Sequence, residues 1–410
     1  MDTSNGETVV DSMSSECASG PLSGVKVIEM STVVFGPYGS QILGDLGAEV
    51  IKVETESGDV MRLPGNTPVP GMGPIYLSLN RNKQSIKLEL SNPAALEAMQ
   101  KLLADADVFY TSVRMGGLER LGLDYDSVKA INPSILYVHC TGFGSDGPYA
   151  GRMAYDDVIQ AASGFSDLLP RVDGSEAPRY IPALIADKTA GLHAAYATMA
   201  GLFHRERTGK GQFIEVPMLE SFTSFNMVEN LYEHTFEPAR GDAAYTRSID
   251  PNRKPYQTRD GYISIVPYSA SDWQLIMRFC GVDDILSDPR FSTYTERTKH
   301  IGILYGMLHE VTGTKTTDEW MALLDKENIP CMRVNRLEDV RHDEHLSATG
   351  FFEQREHPEL GAYYSIKHPV KFSQTPATCR FDAPLLGANS EEILMGLGYN
   401  ESEVSEILKK

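Results

Sequence analysis

The first half of the chain alternates short runs of β-branched residues with helix-like stretches. Strands are predicted over 25–30, 49–54, 85–90, 107–112 and 135–140. Between them lie stretches such as PAALEAMQKLLADA, whose apolar residues recur at helical spacing. Short strands joined through helices by tight links are typical of βαβ units and hence of a parallel sheet. The pattern predicts a large α/β domain over 21–220.

The pattern changes after Glu220. Residues 221–254 are predicted to form a linker, with a helix followed by a long polar connection. Beyond it, DGYISIVPYS alternates like a strand, and three amphipathic helices follow. We therefore predict a smaller α+β domain over 255–335. A return linker and a C-terminal part of the large domain are predicted over 336–410.

The charge balance limits the possible partners. The net charge of −19 argues against a general nucleic-acid or anionic-membrane partner, because the average field of the protein repels polyanions. The longest nearly apolar run, 189–203, is too short to span a bilayer. One small anionic molecule held in a local pocket of Lys and Arg stays compatible with the acidic total.

The cysteines and the first residues indicate the compartment. Five scattered cysteines form no metal-binding or CxxC pattern, so reduced thiols, no metal and a cytoplasmic location are predicted. The start has no basic region followed by an apolar one, so no signal peptide is predicted. Its Ser, Gly and acidic content predicts a disordered tail over 1–20.

A glycine-rich stretch, GFGSDG at 142–147, directly follows a predicted strand. It matches the spacing of a dinucleotide-binding loop. However, Pro148 and Gly151 interrupt the helix that should begin there, and no second strand ending in an acid follows at the expected spacing. We therefore favour a backbone-lined wall for another anionic ligand over a nicotinamide site.

Several basic residues lie near the ends of predicted strands. The stretch LNRNKQSI carries Arg81 and Lys83, while Arg114 and Arg120 follow the strand 107–112. Most such residues are solvated surface charges. Arginine forks, lysine ammoniums and amide-rich loops are also what phosphates bind, so a local anion site is the alternative.

Asp187 ends one apolar run and precedes another, which is predicted to be a buried helix over 188–209. From its position, an N-cap that accepts backbone N–H groups is the simplest interpretation. A catalytic role is compatible with it. An ordinary aspartate is ionised at pH 7, so a carboxylate nucleophile needs no neighbouring base, unlike a serine.

Several segments of the chain, taken in order, resemble those of a known family. It is similar to the class III CoA-transferases, the group of formyl-CoA transferase and carnitine CoA-transferase, with the α-methylacyl-CoA racemases as relatives. The similar segments follow the order of the family from residue 21 almost to the end, and they include GPYGSQILGDLGAEVIKVE, SLNRNKQSIKLEL, GFGSDGPYAGRMAYDD, RTGKGQ and PLLGANSEEILMGLGY.

The resemblance implies a homodimer of two interlocked rings, each chain having a Rossmann-like large domain and a small domain. It implies coenzyme A or acyl-CoA as substrate, no permanently bound cofactor, and Asp187 as the catalytic residue. Tyr155 is a candidate for the acyl pocket. The positions that match coenzyme A contacts in the family are Val34, Phe35, Asn80, Arg81, Asn82, Lys83, Val113, Arg114, Arg120, Thr141, Gly142, Phe143 and Gly144.

The chain also departs from the family pattern. Val34 stands where the formyl-CoA transferase has glutamine, Thr141 where it has lysine, and Thr55 where it has arginine. Contacts at Val34 and Thr141 would therefore be made by the backbone or be lost. The GGGGQ-like lid of formyl-CoA transferases is missing from 221–260, which argues against formyl or oxalyl specificity.

Two alternatives remain open at the level of sequence. A racemase needs an acid and a base on opposite faces of the α-carbon. The racemases carry His–Asp where this chain has Tyr155–Asp156, and His139, His193 or His204 would have to replace that histidine. A non-catalytic coenzyme A- or nucleotide-binding protein is the second alternative.

The identity of the exchanged acids does not follow from these residues. Three arginines in the linker region could bind the second carboxylate of a dicarboxylic substrate, although surface charge is the simpler interpretation. They are Arg240, Arg247 and Arg253.

Overall fold

The structure, a computed structural model, describes residues 20–409. The tail predicted over 1–20 therefore lies, apart from Gly20, outside the described residues. In chain order the strands are β1 Lys26–Met30, β2 Glu49–Glu54, β3 Lys83–Lys87, β4 Val108–Thr111, β5 Leu136–Thr141, β6 Gln212–Pro217, β7 Tyr256–Gln257, β8 Tyr262–Ile265, β9 Cys331–Arg333, β10 Phe352–His357 and β11 Gly361–Ile366.

Helices connect most of these strands. In chain order they are α1 Phe35–Asp45, α2 Pro74–Leu79, α3 Pro93–Ala104, α4 Met115–Leu121, α5 Tyr125–Ile131, α6 Asp156–Ala162, α7 Leu168–Asp173, α8 Ile185–Thr208, α9 Met218–Asn230, α10 Ala270–Phe279, α11 Tyr294–Lys299, α12 Ile301–Val311, α13 Thr317–Lys326, α14 Glu344–Ala348, α15 Ser390–Gly396 and α16 Glu401–Ile407. No helix within residues 20–409 is long and apolar enough to cross a membrane.

The chain forms two compact units. The first, here called the sheet unit, contains the described residues up to Gly151, the segment Asp187–Pro217 and the residues from Glu353 onward. The second unit contains Arg152–Ala186 and Met218–Phe352. The domain boundaries expected from the sequence remain a prediction.

The sheet unit is built on a six-stranded sheet in the order β3-β2-β1-β4-β5-β6, and the recorded strand pairs are parallel. This is the strand order of doubly wound nucleotide-binding sheets, in which ligands bind where the order reverses. Here the reversal lies between β1 and β4. The α/β class and the parallel sheet predicted from the alternating pattern are confirmed.

One buried core of the sheet unit joins strands to helices from both ends of the chain. Ile28, Phe109 and Tyr137 from the sheet pack with Leu102 of α3 and Leu394 of α15. The C-terminal helices therefore cover the same sheet that the N-terminal strands begin.

Local sequence explains where α3 begins. Pro93 occupies its first turn, and the Asn92 side chain accepts a hydrogen bond from the Ala94 N–H at 3.0 Å, as an N-cap does. The strand predicted at 85–90 is shifted, since β3 covers Lys83–Lys87. The pairing of β3 with β2 sets these bounds, and its first residue pair is Val50 of β2 with Lys83 of β3.

The second unit has an antiparallel sheet in the order β7-β8-β9. Its core contains Trp273 of α10, Tyr305 of α12 and Trp320 of α13. The Trp320 indole N–H donates to the carbonyl of Thr312 at 2.8 Å, so this buried polar group is satisfied.

Candidate active site

Two loops flank the point where the strand order reverses. The first follows β1 and leads into α1, and the second follows β4 and leads into α4. Met30 and Thr111 are paired across the two strands, so the loops leave the sheet side by side. Val34 at the end of the first loop and Phe35 at the start of α1 therefore follow the same edge of the sheet as Val113 and Arg114 of the second loop.

Buried charges hold the first loop. The Lys52 ammonium donates to the Ser31 carbonyl at 2.7 Å and lies 3.1 Å from the Asp59 carboxylate. Asp59 also accepts the Val33 N–H at 3.1 Å. Val33 has a φ of 72°, which a β-branched residue rarely adopts. Because Lys52 binds the Ser31 carbonyl and Asp59 binds the Val33 N–H, the unusual backbone conformation at Val33 is held in place.

Glu29 connects this pair to a second lysine. Its carboxylate lies 3.2 Å from the Lys52 ammonium and 2.8 Å from that of Lys83. Lys83 donates in turn to the Pro37 carbonyl at 3.0 Å, in the first turn of α1. We call Glu29, Lys52, Asp59 and Lys83 the charged clamp. The charged clamp contacts the first turn of α1 through the hydrogen bond from Lys83 to Pro37.

Burial and pairing act in opposite directions on the pKa values of the clamp. Burial opposes ionisation of Glu29, but the ammoniums of Lys52 and Lys83 outweigh it and lower the pKa of Glu29 to about 2. Burial also lowers the pKa of Lys83, to about 8. Glu29, Lys52 and Asp59 were not among the candidate residues predicted from the sequence. The available signal was a lysine in the middle of EVIKVE, a strand that a parallel sheet buries.

The predicted binding segment 80–83 is bonded within the sheet unit. Arg81 donates through Nε to Asp45 at 2.9 Å, and the Asn82 amide donates to the same carboxylate at 2.7 Å. Asn80 accepts from the Lys83 ammonium at 3.0 Å and donates to the Tyr76 carbonyl at 2.9 Å. All four side chains are buried. We interpret the segment as a support for α1, and its contact with coenzyme A stays a prediction.

Arg114 and Arg120 differ from that segment. Arg114 occupies the N-cap position of α4, Arg120 lies in its last turn, and both are exposed. Neither guanidinium has a hydrogen-bond or ion-pair partner among residues 20–409. Two basic groups therefore lie near the reversal point with their donors available.

The glycine-rich loop lies beyond β5, next to the second loop. Its Ser145 donates through both N–H and hydroxyl to Glu215 on β6, at 3.2 and 3.0 Å. Phe143 is buried, with its ring 5.5 Å from that of Tyr149. No helix begins between β5 and Asp156, whereas a dinucleotide fingerprint opens directly into a helix. This supports an interpretation of the loop as a wall rather than a nicotinamide site.

His139 lies on β5, next to β4, and Val113 lies in the loop that follows β4. Its Nε2 is 3.0 Å from the Val113 carbonyl, so it contacts the second loop. Burial lowers the pKa of His139, which favours the neutral ring. His139 is therefore a positioning residue for the backbone beside Arg114.

Asp187 lies in the first turn of α8. The helix begins at Ile185, so the prediction that Asp187 is the N-cap is wrong. Ile185 and Ala186, the two residues before Asp187, already belong to the helix. They end the preceding apolar run and extend the buried side of α8 toward its N-terminus. Asp187 is only 5% exposed. The positive end of the helix dipole favours a charged carboxylate at this position.

A contact between glycines docks α8 onto α1. A Cβ atom on Gly191, one turn after Asp187, would lie 2.9 Å from the Phe35 carbonyl. A Cβ on Gly39 would lie 2.2 Å from the Tyr110 hydroxyl and 2.9 Å from the Gly191 carbonyl. Only glycines permit this approach, so the helix that carries Asp187 is seated against the start of α1, where Val34 and Phe35 lie.

The remaining candidates have separate surroundings. Tyr155 lies in the second unit, just before α6, and is 57% exposed. Asp156 is buried and accepts from the Gln160 amide at 2.7 Å. His193 lies on α8, where its Nδ1 is 2.9 Å from the Thr189 carbonyl. The roles predicted for Tyr155 and for the coenzyme A contacts stay predictions.

Comparisons with known proteins agree with this architecture. The model of "CoA-transferase family III" matches residues 22–390. The succinyl-CoA:glutarate CoA-transferase of Mus musculus is 31% identical over 392 residues, 95% of this chain and 89% of that protein. The formyl-CoA:oxalate CoA-transferase of Afipia carboxidovorans is 32% identical over 419 residues, 94% of this chain and 96% of that protein.

Solved structures share the fold. A CAIB/BAIF family protein from Brucella suis matches with a TM-score of 0.79 and 30% identity, covering 92% of this chain and 100% of that one. An aspartate-to-alanine mutant of Rv3272 from Mycobacterium tuberculosis matches with a TM-score of 0.79 and 27% identity, covering 92% and 99%. The similarity thus extends over nearly the whole of each chain.

Proposed function

This chain belongs to CoA-transferase family III, and we propose that it moves coenzyme A from an acyl-CoA to a free carboxylic acid through covalent intermediates on Asp187. The single observation that carries this proposal is the position of Asp187. A buried carboxylate lies in the first turn of a helix that is docked, backbone to backbone, beside the loops at the reversal point.

The first half of the reaction loads the enzyme. A carboxylate oxygen of Asp187 attacks the thioester carbonyl carbon, the C–S bond breaks, and coenzyme A leaves as a thiolate. The product is a mixed anhydride of Asp187 and the donor acid. The thiolate then attacks the aspartyl carbonyl and breaks the anhydride C–O bond. This releases the donor carboxylate and leaves coenzyme A as a thioester on Asp187.

The second half repeats these steps in reverse order. The acceptor carboxylate attacks the aspartyl thioester, which gives a new anhydride and frees the thiolate. The thiolate attacks the acceptor acyl carbon, so the new acyl-CoA forms and Asp187 regains its carboxylate. Each step exchanges one acyl bond for another, so no oxidant or ATP is consumed. The anhydride must be protected from water, which the burial of Asp187 favours.

The proposal assigns coenzyme A to the reversal point. Arg114 and Arg120 would hold phosphate oxygens, since guanidiniums bind phosphate through parallel N–H donors. Backbone groups of Val34, Phe35 and the loop Thr141–Gly144 would line the remainder. The relatives named for succinyl-CoA, glutarate, formyl-CoA and oxalate suggest short carboxylic acids as donor and acceptor. A homodimer is part of the same proposal, and native mass spectrometry should then give twice the mass of the chain.

Trapping the intermediate tests the proposal. The enzyme is incubated with succinyl-CoA and hydroxylamine, digested, and analysed by mass spectrometry. Hydroxylamine converts an activated aspartyl group to a hydroxamate. We expect this modification only on the peptide that contains Asp187. In a parallel sample, borohydride should reduce the aspartyl thioester to an alcohol on the same peptide.

Two variants serve as controls. Asp187→Asn should lose the modification and reduce turnover by a factor on the order of 10⁴ or more, as removal of a covalent nucleophile does. Glu206→Gln removes an exposed carboxylate from the same helix and should leave both readouts unchanged. Full turnover by Asp187→Asn would refute the mechanism. Deuterium exchange at the α-carbon of an acyl-CoA without an acceptor acid would instead indicate a racemase.

A further inference from the structure

A small cleft in the second unit is lined by two arginines and several aromatic side chains. It has a volume of about 20 Å³. Of its lining residues Arg297 is only 5% exposed, whereas Tyr268 and Tyr294 are exposed. The lining residues are Arg247, Pro267, Tyr268, Trp273, Tyr294, Arg297, Thr298 and Ile301.

Neither arginine has a carboxylate partner among residues 20–409. Arg297 donates through Nη1 to the Phe291 carbonyl at 3.1 Å, and Arg247 donates through Nε to the Tyr305 hydroxyl at 2.8 Å. Neutral oxygens satisfy part of each guanidinium but do not balance its charge. Buried charges in proteins are normally paired, because removal from water is costly.

The acids closest in sequence to the lining residues each have a partner of their own. Asp250 accepts the Asn252 N–H at 2.8 Å, Glu296 pairs with Lys299 at 2.8 Å, and Asp288 pairs with Arg290 at 2.6 Å. No acidic side chain lines the cleft. In a chain whose net charge is −19, two arginines without an acid between them form a locally positive site.

The size of the cleft limits what can enter it. A water needs a cavity of roughly 10–15 Å³, so the cleft has room for one or two oxygen-sized atoms. The two oxygens of a carboxylate group fit this space. They also accept hydrogen bonds from the paired N–H donors of an arginine. The aromatic edge would contact the carbon chain that carries the carboxylate.

We propose that the cleft between Arg247 and Arg297 binds the carboxylate of a small organic acid. The cleft lies wholly within the second unit, and its argument uses neither Asp187 nor the coenzyme A contacts. It therefore stands or falls separately from the transferase mechanism.

Trp273 provides the measurement, since it lines the cleft and the chain has two tryptophans. In a Trp320→Phe background of the full chain, Trp273 is the only indole. Succinate is titrated at constant ionic strength against sodium chloride, with calorimetry on the unmodified chain as a second readout. We expect a saturable change in Trp273 emission with succinate, and none with chloride.

Variants decide whether the arginines are responsible. Arg247→Gln should weaken succinate binding about tenfold or more, as loss of a charge-assisted hydrogen bond does. Arg336→Gln removes an exposed arginine elsewhere in the second unit and should leave binding unchanged. Asp187→Asn should also retain binding, even where it abolishes turnover.

Three results would overturn the proposal. Equal responses to succinate and chloride would show that the cleft does not distinguish a carboxylate from another anion. Unchanged affinity in Arg247→Gln would exclude the arginine pair. Tighter binding of inorganic phosphate than of succinate would overturn the assignment to a carboxylate. If Arg297→Gln fails to fold, Arg247→Gln still decides the question.

Discussion

The two units contain buried cations in opposite electrostatic situations. In the sheet unit, the ammoniums of Lys52 and Lys83 lie within 3.2 Å of carboxylates that are themselves fully buried. In the second unit, Arg297 is buried to a similar degree and has no acidic partner within the described part of the chain, residues 20–409. The comparison suggests how to distinguish their roles. A cation whose counter-ion belongs to the protein holds the fold, and one without a counter-ion awaits a ligand.

The distinction has an energetic basis. Breaking a buried ion pair leaves the remaining charge uncompensated in a medium of low dielectric, at a cost of about 3–5 kcal/mol. Removing a cation that has no counter-ion leaves no such charge behind, so it should affect binding and leave stability nearly unchanged. Variants of both classes can therefore test the comparison.

The largest effect is expected for Lys52→Met. It leaves Glu29 and Asp59 buried without the ammonium that joins them, and should lower the free energy of unfolding of the sheet unit by about 3–5 kcal/mol. The measurement is urea unfolding followed by circular dichroism. Lys101→Met breaks an exposed pair with Glu97, which water screens, and should leave the urea midpoint nearly unchanged. Equal midpoints for the two variants would contradict the role of the charged clamp.

The next effect concerns acid stability. The pKa of Glu29 is lowered to about 2 in the folded protein, so below about pH 4.5 the unfolded chain takes up a proton that the folded one does not. Stability from this group is complete above that pH and is lost as the pH falls toward 2, by roughly 3 kcal/mol in total.

Glu29→Gln should therefore give a flatter loss of stability between about pH 4.5 and 2, measured as urea midpoints at a series of pH values. Glu97→Gln, which removes an exposed carboxylate, should follow the unmodified protein. Parallel curves for all three proteins would show that Glu29 does not carry this contribution.

The smallest free-energy change is expected for Arg114→Gln and Arg120→Gln. Both arginines lack partners within residues 20–409, so the urea midpoint should stay unchanged. The KM for acyl-CoA should rise about tenfold or more for each, because a charged hydrogen bond to phosphate is lost. The surface variant Lys101→Met should leave KM unaltered. A large loss of stability with unchanged KM would place these arginines in the structural class instead.

Much of the sheet unit was predictable because its information is local. The spacing of β-branched runs predicted the parallel sheet, and an apolar run predicted the long helix at Asp187. The start of that helix was not predicted correctly, because propensity at Asp187 favoured a cap while buried packing extended the helix to Ile185. Similarly, Arg81 and Lys83 were indistinguishable from Arg114 by residue type alone.

The sequence by itself determined the alternation of strands and helices and the family resemblance, while the covalent role of Asp187 stays a prediction. Only the tertiary structure decided which charges are paired. Lys83 on β3 is paired with Glu29 on β1, whereas Arg114 has no partner among residues 20–409. The physical reason is that secondary structure follows from neighbours along the chain, while the fate of a charge depends on groups brought together from distant positions and on the water removed between them.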